Sequence, residues 1–314
     1  GDVYGLQAGG ILNIVKGNIF GLQAGGAFNM TDGDIIGLQV SSVFNIAGGD
    51  IIGLQAGGIF NIAGKDITGL QAAGLFNINK KSILGGQVAG IINLRPSELR
   101  GVQIAGLINL SKKQRGSIQL AGLLNHTHQA EGGFQIGLIN IADSAHRLVP
   151  IGLLSFIKKG DGYKRIELSV DDLLNTTLSF KTGISKFYNI LTVGMPFNII
   201  EKTSYLVGYG LGTTFFEKSS WSIDINLMAY QVVQAKDTWF KSGLFKGSLG
   251  VEKKLGKRIS LAIGGGLNYW RNESGYEFER YYAKKPSLII RESSTDTYKD
   301  MLWIGYQGGL RYIF

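Results

Sequence analysis

The chain has no cysteine, which excludes disulfide staples and thiolate metal sites. Proline is scarce, 4 in 314 residues, and charged residues make up only 18%. No stretch approaches the roughly 18 uninterrupted apolar residues of a membrane-crossing helix. A strand-built crossing stays open, because barrel strands alternate and escape a hydropathy window. Histidine occurs three times, at His126, His128 and His146, and a catalytic triad would need pairings the sequence does not supply. No signal peptide is visible at Gly1, and the chain opens inside a repeat, as a processed or trimmed product would.

Glycine is abundant, at 47 residues, and a sixteen-residue period runs through the first half. Gln recurs at Gln7, Gln23, Gln39, Gln55, Gln71, Gln87, Gln103, Gln119 and Gln135. Asn keeps the same beat at Asn13, Asn29, Asn45, Asn61, Asn77, Asn93, Asn109 and Asn125. The period is too short for two packed helices, which need roughly 30 residues or more. Within a unit the alternation is that of a strand: Leu54, Ala56, Gly58, Phe60 and Ile62 share one face, and Gly53, Gln55, Gly57, Ile59 and Asn61 the other. Interior Gly, at about 1 kcal/mol each relative to Ala, argues against a helix. Charges gather at the joints, at Lys16, Asp32, Asp34, Asp50, Lys65, Asp66, Lys80 and Lys81.

Two all-β architectures satisfy this unit. In a solenoid each repeat is one coil and Gln stacks on Gln; in a meander each repeat is one strand and its turn, with alternating direction. The neutral run between joints suits the about 9–11 residues of a bilayer-spanning strand. The last unit, Gly133–Asn140, lacks one central small residue, a deletion that a solenoid corner tolerates.

Beyond residue 148 the repeat stops and strands continue, near 148–157, 163–170, 175–183, 187–197, 205–216, 221–233, 245–256, 260–271 and 301–314. Short and long connections alternate, as in outer-membrane barrels. The long link 272–300 has room for its own hairpin and carries Glu279, Arg280, Tyr281 and Tyr282, candidates for contacts at the cell surface. Tyr205, Phe215, Phe216, Tyr230, Tyr269 and Trp270 stand near strand ends like interfacial girdles. Leu310, Tyr312 and Phe314, at two-residue steps, resemble the terminal strand signal that the bacterial barrel-assembly machinery recognises.

Nine repeat strands and nine later ones make about eighteen, an even number that closes a barrel and removes both edges. The favoured expectation is therefore one antiparallel transmembrane β-barrel over 1–314, with repeats 1–147 and non-repeat strands 148–314 both in its wall. The alternative is a repeat solenoid of nine or ten coils followed by a barrel of the final eight strands.

The segments GLQAGGIFNIAG, GVQIAGLINL and FQIGLINIADS resemble the surface-repeat proteins first named from leptospires and common in Bacteroidetes. The resemblance runs through Val149–Ile157 and Lys186–Ile190, covering about residues 1–200. It implies a surface or outer-membrane location, no assigned activity and no catalytic residues to transfer.

The chemistry sought in the residues is sparse. His126 and His128 would share a strand face as two metal ligands, but no third ligand is evident beside them and the segment reads as a solvated turn. Asp171 and Asp172 are neighbours that would point to opposite faces, and read as loop residues. Gly208-Tyr-Gly-Leu-Gly212 lacks the helix of a dinucleotide site, so its glycines read as points of close strand approach. The ladder amides Gln55, Gln71, Gln87, Asn61, Asn77 and Asn93 are the candidates for a ligand or partner. The formal charge of +9 is scattered among turns, without the aromatic and basic clustering of a nucleic-acid groove. The expectation is a non-enzymatic outer-membrane protein without cofactor, embedded in lipid: a scaffold, surface subunit or narrow pore, alone or with other outer-membrane proteins. A surface binding module built on the solenoid is the alternative.

Overall fold

A computed structural model describes residues 1–94, 96–172, 176–195, 204–234, 242–273, 286–295 and 297–314. The chain divides into two compact units, Gly1–Asp161 and Gly162–Phe314.

The first unit is a parallel β-solenoid. As far as Leu99–Ala105 the sixteen-residue repeats form a seven-residue strand and a shorter one, such as Ile51–Gly57 and Phe60–Ala63; from Ile108 to Ile151 the strands run on to 13–14 residues. Each strand pairs in parallel with its equivalent one coil away, Gln39 opposite Gln55 and Gln55 opposite Gln71. A meander would pair them antiparallel, so the repeats are coils and not wall strands of a barrel. The eighteen-stranded barrel gives way to the alternative, a solenoid plus a small barrel. Glycine explains the choice. Gly53 sits inside its strand at φ +134°, and a Cβ there would lie 2.0 Å from the Gly37 carbonyl oxygen of the preceding coil. Only glycine turns the chain at that point while letting the coils stack.

The solenoid also runs past the expected boundary at 147. Strands Ile139–Ile151 and Leu154–Gly160 pair as another coil, with Pro150 in the Gln column and Ser155 in the Asn column. The segment 148–157, expected as a barrel strand, belongs here. Its coil is one residue short, which disguises the repeat: Asn125 pairs with Asn140 and Asn140 with Ser155.

The second unit is an antiparallel barrel of eight strands: Gly162–Asp171, Thr176–Ile184, Phe187–Met195, Ser204–Phe215, Trp221–Gln234, Ser242–Lys254, Ile259–Glu273 and Tyr298–Ile313. Each pairs with the next, and the first pairs with the last, from Arg165 opposite Ile313 to Asp171 opposite Gln307, so the sheet closes. The connections 185–186, 216–220 and 255–258 lie at one rim. The strand ends joined by the longer connections 196–203, 235–241 and 274–297 lie at the other rim, where a hairpin strand, Ile289–Ser294, pairs with the start of Tyr298–Ile313.

Candidate functional site

The barrel wall is inverted relative to a water-soluble sandwich. Leu168, Leu178, Val193, Val207, Ile225, Leu249, Ile263 and Leu310 stand on the outside, and Ile263 is 70% exposed. The alternate positions point inward and are polar: Glu167, Ser169, Thr177, Ser179, Lys181, Thr192, Asp224, Asn226, Lys246, Glu252 and Arg311, all buried. Strand period two makes the split, and its sense suits an apolar solvent outside. Tyr205, Phe215 and Phe216 are exposed, as girdle residues would be. Tyr230 and Trp270 correct that expectation: Trp270 is one step from Tyr269 and so faces inward, where it packs with Leu206, Leu244, Met301 and Trp303, with Tyr230 against the cluster. Proximity to a strand end suggested a girdle; the alternation decides the face.

This apolar cluster fills the lumen towards the longer connections. Towards the short turns an ionic network fills it. Arg311 Nε donates to Glu167 Oε2 at 2.6 Å, its Nη1 donates to Glu252 Oε2 at 2.8 Å, and it also pairs with Asp224. Lys181 reaches Glu167 at 2.7 Å, and Ser260 Oγ donates to Glu252 Oε1 at 2.5 Å. Nearby, Tyr188 stacks on Tyr163 with ring centres 4.5 Å apart. Gly212 leaves the room for it, since a Cβ there would come within 2.3 Å of the Tyr188 ring. A cavity of about 20 Å³ lies between Glu167, Lys181, Asn226, Tyr230 and Lys246, space for about one water. Asp171 and Asp172 are not idle loop residues. Asp171 lies 3.3 Å from Lys246 Nζ, and Asp172 accepts from Trp303 Nε1 at 2.9 Å.

In the solenoid the predicted amides are fully buried. Gln71 Nε2 donates to Gln55 Oε1 at 2.8 Å and Gln87 Nε2 to Gln71 Oε1 at 2.6 Å. Asn61 Nδ2 donates to Asn77 Oδ1, and Asn77 Nδ2 to Asn93 Oδ1, both at 3.0 Å. The second N–H of each Asn donates to a backbone carbonyl, Asn61 to Ala72 at 2.5 Å and Asn77 to Val88 at 2.7 Å, which fixes the direction of the Asn ladder. Gln55, Gln71, Gln87, Asn61, Asn77 and Asn93 thus hold coil to coil and present nothing to a ligand. At the charged corner Asp34, Asp50 and Asp66 each accept the backbone N–H of the equivalent residue in the following coil, at 2.7–2.9 Å. The outward positions are largely apolar, including Leu38, Ile52, Leu70, Leu84, Val88 and Ile104. Glu279, Arg280, Tyr281 and Tyr282 lie outside the described residues.

The histidine pair is not in a turn. His126 and His128 lie on the strand Leu124–Ile136, and the neighbouring strand brings Asp143 beside them. His128 Nδ1 donates to Asp143 Oδ2 at 2.7 Å, and His126 Nε2 lies 3.8 Å from Asp143 Oδ1. Lys158, from the last coil, reaches Asp143 Oδ1 at 2.7 Å. Partial burial lowers the pKa of His126, against the opposing pull of Asp143. Hydrogen bonds from Lys158 and then His128 lower that of Asp143 from 3.8 to about 2. The sequence held the signal for Asp143. Sixteen residues on from His128 is Ser144, whereas the one-residue deletion before Ile139 puts Asp143 opposite it.

No protein-family model matches the chain, and no curated protein does. Among solved structures the crystal structure of Neisserial surface protein A is similar, at 13% identity and a TM-score of 0.30, covering 49% of this chain and 98% of that one.

Proposed function

We propose that the chain is a non-enzymatic protein of a bacterial outer membrane, in which the barrel 162–314 is a sealed lipid anchor and the solenoid 1–161 is what it carries. The observation behind this reading is the inverted barrel, with leucine, isoleucine and valine outside and a hydrogen-bonded ionic network within. Water would leave that outer face uncompensated, whereas lipid suits it; closure satisfies every wall strand without an edge. A filled lumen suits an anchor better than a pore. In planar bilayers the purified full chain is expected to insert and give no unit conductance. Discrete ion-conducting steps would sink the sealed-anchor reading, and failure to partition into detergent would sink the membrane reading.

A second observation favours a role as a subunit of a larger assembly. The solenoid's outward strand positions are apolar over many coils, more than a solvent-facing surface carries without a partner. Replacing Leu38, Leu54 and Leu70 by Lys is expected to leave the fold intact. It should shift the detergent-extracted protein to a smaller particle on size exclusion; an unchanged elution would tell against the assembly.

A further inference from the structure

From His126, His128 and Asp143 we infer a divalent-metal site on the outside of the solenoid, of the zinc type. The candidate ligand atoms, two imidazole nitrogens and a carboxylate oxygen, all lie within 4.8 Å of one another. Zinc takes such donors at about 2.0–2.2 Å, and three protein ligands leave the fourth tetrahedral position open. Side-chain rotation closes the set without moving the backbone, because the two strands hold the ligands in register. His126 and His128 project from the same face of one strand, two residues apart. Asp143 stands on the next strand, opposite His128.

Without metal, the His128 N–H and the Lys158 ammonium satisfy Asp143. A bound metal ion takes both places. The imidazole proton moves to Nε2, leaving Nδ1 to coordinate, and the 62%-exposed Lys158 side chain swings into water. Beside the histidines runs a groove of about 610 Å³ that His126 and His128 line together with Lys80, Lys112 and Leu110. Those ammonium groups fit an anion, a carboxylate or phosphate, as the fourth ligand. The local one-residue deletion builds the site, so none of the regular sixteen-residue coils repeats it.

Calorimetric titration of the untagged full chain in detergent with Zn²⁺ tests this, with Co²⁺ absorption as the coordination readout. One saturable site and visible bands of four-coordinate Co²⁺ are expected. His126→Ala and Asp143→Asn should each weaken binding by roughly 10–100-fold, no less than the loss of an outer-shell partner costs. Lys158→Met should tighten it by removing the competing cation, and His146→Ala should change nothing. All four positions point outward, so the far-ultraviolet spectrum should stay that of the parent chain. No saturable binding, binding indifferent to His126→Ala or Asp143→Asn, or an affinity not raised by Lys158→Met would overturn the site.

Discussion

Asp143 accepts bonds from Lys158 and His128, and protonation ends both. Its folded pKa, about 2, lies below the ordinary 3.8, so the stability it contributes is complete above the ordinary value. That contribution is lost as pH falls from 3.8 towards 2. Carbon-detected NMR of the metal-free protein should place the midpoint near 2, and Lys158→Met should raise it towards 3.8; an unmoved midpoint would remove Lys158 as the main cause. Arg311 is the barrel counterpart, but sealed from water. Arg311→Met leaves Glu167, Asp224 and Glu252 with too little positive charge, and breaking a buried pair in this way costs about 3–5 kcal/mol. The barrel's heat-dependent gel shift in detergent should move to a clearly lower temperature. A shift like that of an exposed substitution, such as Lys257→Met, would mean that water reaches the network.

At the scale of the element, the Gln column is a chain of donors with two different ends. Gln71→Leu strands the Gln55 carbonyl and the Gln87 N–H, and each buried orphan costs roughly 1–3 kcal/mol. Gln135→Leu strands only the Gln119 carbonyl and removes an oxygen, Gln135 Oε1, that already lacks a donor, because Pro150 occupies its column in the next coil. Urea unfolding should therefore show Gln71→Leu as clearly the worse of the two, and equal losses would mean that the ladder does not act as one. The period and its neutral strands were plain in the sequence, yet the sense of pairing was not. Leu54, Ala56 and Gly58 alternate alike in a coil and in a meander. What separates the two is the left-handed backbone at Gly53 and its contact with the Gly37 carbonyl, neither visible in residue identity. Asp143 was hidden for a related reason, since its meeting with His128 depends on where the missing residue falls.

For the whole molecule, the eight barrel strands were legible almost to their ends. Trp221–Leu227 and Arg165–Asp171 display the period of two without interruption, and the short turns between strands break it cleanly. The wall itself was misjudged, because the neutral repeat units before 148 and the segment 148–157 all carry the alternation of a wall strand. The two units bury different kinds of interior, amide and isoleucine columns in one, and an ionic network beneath an aromatic cluster in the other. Gln71→Leu should therefore lower a β-sheet melting step while the barrel's gel shift stays where it was. Loss of both together would mean that the units share one cooperative transition.

The two amide columns point opposite ways, Gln N–H groups towards the first coil and Asn N–H groups towards the last. Their aligned dipoles therefore oppose each other at every level, and adding coils builds up little net field along the stack. Each coil also offers its successor the same donors and acceptors it received. Slippage between near-identical repeats could thus lengthen or shorten the stack by whole coils, with both columns closing again over the join. Pro150 ends the Gln column in the coil after Gln135, so such growth is free only among the coils before it. Variants of this protein should then differ in solenoid length by whole coils while keeping the same barrel.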